Sequence, residues 1–414
     1  MVAICSLLGA LGTGFYSYSR GIFLPDLAAA LSDGHRFDIS IGFSFAAIVG
    51  AIASPRIGQY LDHASPRNVI LLGIAIVTGS YVALANVKTL WQFYLIVSIG
   101  FGLGMSCMGS LAWHRLVIFW FDHWRGRAIA LAVIGSSIAG IVMPPLVTFI
   151  VDNYGWRTGY AAFAISTLVT LFPIVYFFLK DRPEDVGEVR DGQKYVDSHK
   201  EEQVELEVDT YTWTWQRLLK NPAFWSIGLI FGSMLCVFTA VMLHLYGHLL
   251  DIGLGTQEAA LVLSITALFA ALGKPVVGVM SDFLGARVTI WMALACQAIA
   301  LLTLTQVEGL GLALFAGGLY GFGYSGMSPL RTFAVSTSVG SKSFALATGV
   351  LRWVELPFIL SASPLAGFIY DSTGSYNIAF TILAGLMVIA AIGPFFIREG
   401  GAKERRAVKA AQSS

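Results

Sequence analysis

A chain of 414 residues that is 56% hydrophobic and 12% charged, with a mean hydropathy of +0.72, has too little polar surface to cover a water-soluble globule. That excludes a soluble fold and places most of the apolar exterior against lipid. The net charge of +1 points to no partner and gives no sign of nucleic acid, and Cys5, Cys107, Cys236 and Cys296 all lie in apolar segments without a CxxC or Cys/His pattern.

Runs long enough to cross about 30 Å of hydrocarbon at about 1.5 Å per residue occur twelve times. The first six are Met1 to Leu31 (α1), Ile39 to Leu61 (α2), Asn68 to Ala85 (α3), Thr89 to Phe119 (α4), Ala128 to Val151 (α5) and Trp156 to Leu179 (α6). The second six are Ala223 to Leu250 (α7), Thr256 to Ser281 (α8), Val288 to Thr305 (α9), Gly309 to Val335 (α10), Phe344 to Tyr370 (α11) and Ile378 to Ile397 (α12). They are read as helices because lipid-exposed backbone must satisfy its own hydrogen bonds and the runs show no period of two. The first run begins at Met1 without a basic leader or a small-residue cleavage site, so it reads as a span rather than a signal peptide.

With the loops after α2, α4, α6, α8 and α10 and the C-terminal tail on one side, that side carries eighteen Lys and Arg and the other carries three. The positive-inside rule then puts both termini in the cytoplasm, most simply at a plasma (inner) membrane. The polar stretch 180–222 separates the two sets of six and reads as a cytoplasmic linker, with Tyr211, Trp213 and Trp215 marking a short interfacial helix before α7. The expected organisation is a first bundle over 1–179, the linker 180–222, a second bundle over 223–398 and a tail over 399–414.

One loop pattern occurs twice, Gly58-x3-Asp62-x4-Arg67 after α2 and Gly278-x3-Asp282-x4-Arg287 after α8, at a spacing of 220 residues. GFGLGMS from Gly100 in α4 likewise matches GFGYSGMS from Gly321 in α10. The fold class is therefore an all-α membrane protein, twelve transmembrane helices in two pseudo-symmetric six-helix bundles, and such a duplicated bundle points to a carrier rather than an enzyme. No HExxH, GxSxG or P-loop pattern and no metal-ligand cluster is present, so neither cofactor nor metal is implied.

The loops GQYLDHASPR and GVMSDFLGAR resemble the signature of the major facilitator superfamily and its second copy. In that resemblance Asp62 and Asp282 accept hydrogen bonds at a helix N-terminus, Arg67 and Arg287 pair with them across the cytoplasmic face, and the loops, with Gly58 and Gly278, gate the inner side. The first copy departs by having Pro66 and lacking the second glycine. WFDHWRGRAIALAVIGSSIAG entering α5, NYGWR at 153–157, RPEDVG at 182–187 and NPAFW at 221–225 are similar to the monocarboxylate and oxalate/formate branch.

Charges within the spans carry the functional reading, since each costs about 2.5 to 3.5 kcal/mol at the bilayer centre on insertion scales. Lys274 in α8 stands where the resemblance implies a substrate-binding arginine; lysine keeps the charge but lacks the bidentate fork. Arg20 in α1 stands near the place of a functional lysine, so the two cations are expected to bracket an anion, with Tyr16 and Tyr18 shaping the pocket. Arg352 and Glu355 lie three apart in α11 and are read as an internal ion pair or a coupling site, while Arg331 and Arg56 are read as snorkelling to water. His244 in α7 is a candidate substrate ligand or an interhelical donor. Where proton-coupled relatives carry an aspartate one turn before the α8 cation, this chain has Ala270, so coupling there rests on Glu355, His244 or Lys274, or is replaced by anion exchange. The expected activity is secondary transport of a small organic anion, by proton symport or anion exchange, the alternatives being an exporter of a larger amphipathic compound or a non-transporting receptor on the same fold.

Overall fold

The computed structural model describes residues 1–63, 65–121, 124–188, 214–339 and 344–397, and among these every regular element is helical. Most of the linker, including Tyr211 and Trp213, lies outside the described residues, as do Lys342, the tail from Arg398 and the side chains of Asp62 and Asp282. Trp215 begins a short helix, Trp215–Leu219, that leads into α7, and the Trp225 indole N–H donates to the Leu219 carbonyl at 2.7 Å.

Eleven of the twelve expected spans are stretches long and apolar enough to cross a bilayer. The twelfth, α10, differs from its expected single run: it is divided at Gly326 into Leu310–Ser325 and Met327–Val339. Pro329 has no N–H to give the carbonyl of Ser325, so the regular bond is missing where the division falls. Its repeat partner α4 is irregular at the same motif. It winds as π-helix over Ser98–Gly104 and bends at Gly109 before Ser110–Trp120.

The glycines of that motif also set how closely helices pack. A Cβ on Gly102 would come within 2.8 Å of the Ala46 carbonyl oxygen in α2, and one on Gly321 would overlap the Thr266 carbonyl in α8. Ala46 and Thr266 are themselves 220 residues apart. Both halves thus bring the same two helices together backbone to backbone, a contact that only a missing side chain permits and that supplies packing where no hydrophobic effect acts between helices.

By compactness the chain divides into two units. One comprises Met1–Val204 with Met242–Leu250 and Gly255–Ser264; the other comprises Glu205–Val241, Asp251–Leu254 and Ile265–Ser414. The end of α7 and the start of α8 therefore pack with the first unit. Gly21 of α1 lies against the carbonyls of Met242 and Leu243, and Ser264 donates to the Ile141 carbonyl of α5 at 2.7 Å.

Candidate functional site

In the first unit Arg20 is only 9% exposed, eleven residues before the end of α1 at Leu31. At about 1.5 Å per residue that is some 16 Å deep, near the middle of a bilayer. Its guanidinium lies 5.4 Å from the Tyr16 ring and 5.9 Å from the Phe43 ring of α2. Tyr16 in turn packs on Phe101 of the α4 π-turn at 4.7 Å between centroids. The cation is thus embedded among ring faces, whose negative quadrupoles compensate part of the desolvation of a charge. A helix turns about 100° per residue, so Tyr16 shares the face of Arg20 while Tyr18, two residues from each, is turned away. Of the two tyrosines expected beside the cation, the register brings only Tyr16.

In the second unit Lys274 is half-buried, ten residues before the end of α8 at Leu284 and at nearly the same depth from its end as Arg20 from its own. The preceding Gly273 is filled by Ser325 of α10, and Ala270 is buried where the two helices meet. The remaining charges differ from expectation. Glu355 is 1% exposed and accepts a hydrogen bond on Oε2 from Arg331 Nη2 of α10 at 2.9 Å, with Arg331 Nε at ion-pair distance, 2.9 Å, from Oε1. Arg331, half-buried, is therefore the ion-pair partner of Glu355 rather than a snorkelling side chain. Glu355 forms its ion pair with Arg331, while Arg352, one turn earlier on α11, is exposed and within electrostatic reach of the same carboxylate. A charge-assisted hydrogen bond from one guanidinium nitrogen, with a second nitrogen at ion-pair distance, compensates the buried carboxylate. Arg56 is exposed near the end of α2, as expected of a side chain reaching the interface.

The duplicated arginines have carbonyl partners, while the side chains of the expected Asp62 and Asp282 lie outside the described residues. Arg67 donates from its guanidinium to the Tyr176 carbonyl at the end of α6, lies 5.3 Å over the Tyr176 ring, and donates its backbone N–H to Asp181 Oδ1 at 2.8 Å. Arg287 donates to the Ile397 carbonyl beyond α12 at 2.8 Å. Each arginine thus satisfies a carbonyl at the C-terminal end of the last helix of its own half, where a cation is favoured by the helix dipole. The turns between differ: Gly285 takes φ 86, whereas Ser65 takes φ −62 and ψ 117, accepts the Asn68 N–H and is followed by Pro66 at the first helical position. Gly58 and Gly278 both face open space.

His244 is fully buried, its Nε2 3.4 Å from Ser40 Oγ of α2, while Ser40 donates to the Arg36 carbonyl at 2.7 Å. In this arrangement the imidazole is a helix-to-helix contact rather than a group lining an open space. The partners missed from sequence are Phe43, Phe101, Ser40 and Arg331. Only the last had a signal: Arg331 and Glu355 lie eight and eleven residues from the ends of the helices flanking the α10–α11 loop, hence at similar depths.

The family model for the Major Facilitator Superfamily matches residues 9–352 and 246–413. The chain is 23% identical over 415 residues to an uncharacterized MFS-type transporter, YcxA, of Bacillus subtilis (strain 168), covering 96% of this chain and 95% of that protein. It is 23% identical to monocarboxylate transporter 13 of Rattus norvegicus, covering 91% and 83%, and 24% identical to a probable L-galactonate transporter of Escherichia coli (strain K12), covering 84% and 78%. Among solved structures, a bacterial homologue of the human lysosomal transporter Spinster, inward-facing and unoccupied, superposes with a TM-score of 0.74 at 14% identity over 96% of each chain. Duplicated loops, paired helix contacts and the match along nearly the whole chain place this protein in the Major Facilitator Superfamily, as an integral multi-pass membrane transporter of small molecules and not an enzyme.

Proposed function

We propose that the chain is a secondary active carrier of a small organic anion, most simply a monocarboxylate, working by alternating access in the plasma membrane with both termini cytoplasmic. The observation that carries this reading is a fixed positive charge near mid-depth in each unit, Arg20 on α1 and Lys274 on α8. Placing a cation there is costly unless a protein partner, a cavity or an anionic guest compensates it, and on this reading each cation is a recognition group for a carboxylate. The relatives named for monocarboxylates and for L-galactonate agree in one chemical feature, a carboxylate on a small polar molecule. Tyr16 holds Arg20 in position, Lys274 supplies a point charge, and Arg352 with Glu355 are the candidate coupling groups. The loops of Gly58, Asp62, Arg67 and of Gly278, Asp282, Arg287 gate the cytoplasmic side.

Purified protein in proteoliposomes, offered a panel of labelled monocarboxylates and sugar acids with and without a pH gradient, tests the proposal. Saturable uptake or counterflow of at least one carboxylate is expected. A panel in which none is taken up or exchanged overturns the substrate assignment, and binding without counterflow identifies a receptor instead.

A further inference from the structure

At the end of the helices that carries the duplicated loops, the first unit gathers cations and rings from three segments. The Phe119 ring at the end of α4 has the Arg115 guanidinium 5.1 Å from its centroid. The Arg182 guanidinium, from just beyond the end of α6 at Phe178, lies 5.5 Å from the same ring. The neighbouring Trp120 indole N–H donates to the Lys180 carbonyl at 3.2 Å, and the Arg67 backbone N–H at the start of α3 donates to Asp181 Oδ1 at 2.8 Å. These contacts join the start of α3, the end of α4 and residues 180–182 into one patch, all of it in the first unit. Arg182 and the rings of Tyr176, Phe177 and Phe178 are exposed, and Arg115 and Phe119 are half-buried.

The duplicated fold does not require this patch. Counted from the Met-Ser that both halves share, at Met105 and Met327, the places of Arg115 and Phe119 are held in the second half by Thr337 and Ser341. Thr337 donates its hydroxyl to the Phe333 carbonyl of its own helix. The positive-inside rule gathers cations on one side of both halves, but it does not place two of them on one ring. Of the acids at hand, Asp181 accepts the Arg67 N–H, and Glu184 and Glu188 are exposed. The side chains of Asp62, Asp122 and Asp185 lie outside the described residues. Arg115 and Arg182 have further contacts of their own. A guanidinium is a planar fork of five N–H donors, so stacking on a ring occupies its face while its edge meets oxyanions.

We propose that this patch binds the headgroup of an anionic phospholipid of the leaflet that this end faces. Arg115 and Arg182 take the phosphodiester oxygens edge-on, the arrangement in which a guanidinium fork matches phosphate. Phe119 holds both forks at the helix ends, the level at which lipid phosphates stand, and basic pockets between such ends suit anionic headgroups. Tyr176, Phe177 and Phe178 give the glycerol and upper acyl chains an exposed ring face. A phosphatidylglycerol-type lipid fits better than phosphatidylcholine, whose quaternary ammonium adds a cation among cations. Bound there, the headgroup ties residues 180–182 to the end of α4. The inference does not depend on which solute the protein carries.

Lipid-depleted full-length protein in a neutral detergent, titrated with phosphatidylglycerol or phosphatidylcholine and read by native mass spectrometry, tests the proposal. Phosphatidylglycerol is expected to bind at least about tenfold more tightly than phosphatidylcholine. Arg182→Gln and Arg115→Gln are each expected to lose about tenfold for phosphatidylglycerol and little for phosphatidylcholine, the value of a hydrogen bond to a charged group. Arg56→Gln, which removes an exposed cation near the end of α2, is expected to stay within about twofold. Equal binding of the two lipids overturns the proposal. So does an equal loss in Arg56→Gln, which reduces the preference to net charge. Displacement of phosphatidylglycerol by an excess of inorganic phosphate at constant ionic strength assigns the patch to a soluble anion and overturns the lipid as its occupant. Should Arg115→Gln not fold, Arg182→Gln, at an exposed position, decides alone.

Discussion

The two halves carry the same loop pattern and the same close helix contact, yet they stabilise buried charge by different means. In the first, Arg20 rests on the faces of Tyr16 and Phe43. In the second, Arg331 and Glu355 neutralise each other through one hydrogen bond and one further ion contact, each at 2.9 Å. Ring faces soften the cost of burying a cation, whereas a carboxylate at ion-pair distance offsets its charge. The duplication therefore preserves backbone geometry and leaves the interior chemistry free to diverge, with ring faces around Arg20 in one half and an ion pair joining α10 to α11 in the other.

The largest effect tests that ion pair. Glu355→Gln leaves the Arg331 guanidinium buried without its counter-charge, and breaking one partner of a buried pair costs about 3 to 5 kcal/mol. Thermal unfolding in detergent should show a clear fall in midpoint for this variant and recovery of most of it in Glu355→Met combined with Arg331→Met. A loss below about 1 kcal/mol, the range of exposed ion pairs, breaks the contrast between the halves. Next comes recognition. Arg20→Ala is expected to lower carboxylate uptake about ten- to hundredfold, the value of a hydrogen bond to a charged group, with little change in unfolding. Arg20→Lys is expected to lose about tenfold because an ammonium keeps the charge but not the planar stacking, whereas Lys274→Arg stays within about threefold. Equal losses for Arg20→Lys and Lys274→Arg in initial-rate uptake show that the rings do not position the cation.

Much of this architecture was legible in the chain itself. Eleven expected spans appear within a few residues of their ends, because length and hydropathy are enough where the solvent is lipid. The division of α10 was foreshadowed by Pro329 and by the glycines of GFGYSGMS, but proline in a lipid-embedded helix produces anything from a slight bend to a break, and composition does not say which. The candidate charges were equally visible, since an ionisable residue in an apolar run stands out. Their partners were not. Proximity of Arg352 and Glu355 along one helix looked like a pair, but the depth of Arg331 across the α10–α11 loop decided the contact. Arg67 and Arg287 read as mates for the aspartates beside them, whose side chains lie outside the described residues, and nothing in the pattern signalled that their guanidinium groups also reach helix ends 109 and 110 residues further along the chain.

The smallest effect lies in the two turns of the duplicated pattern, where the halves reach one geometry by different residues. Gly285 holds φ 86 and ψ 156, a region that side-chain-bearing residues enter at a cost of order 1 to 3 kcal/mol. Ser65 stays at φ −62 and uses its hydroxyl and the fixed φ of Pro66 to start α3. Gly285→Ala should therefore destabilise by that strain, and Ser65→Ala by about 1 kcal/mol, the value of a lost N-cap. Ser65→Gly should cost only a few tenths of a kcal/mol, because glycine is itself an acceptable cap. The ordering, read from chemical denaturation of the three variants, matters more than any single value. If Ser65→Ala proves as costly as Gly285→Ala, the first turn is held by more than its cap, and Arg67, anchored to Tyr176 and Asp181 two residues on, is the group to remove next.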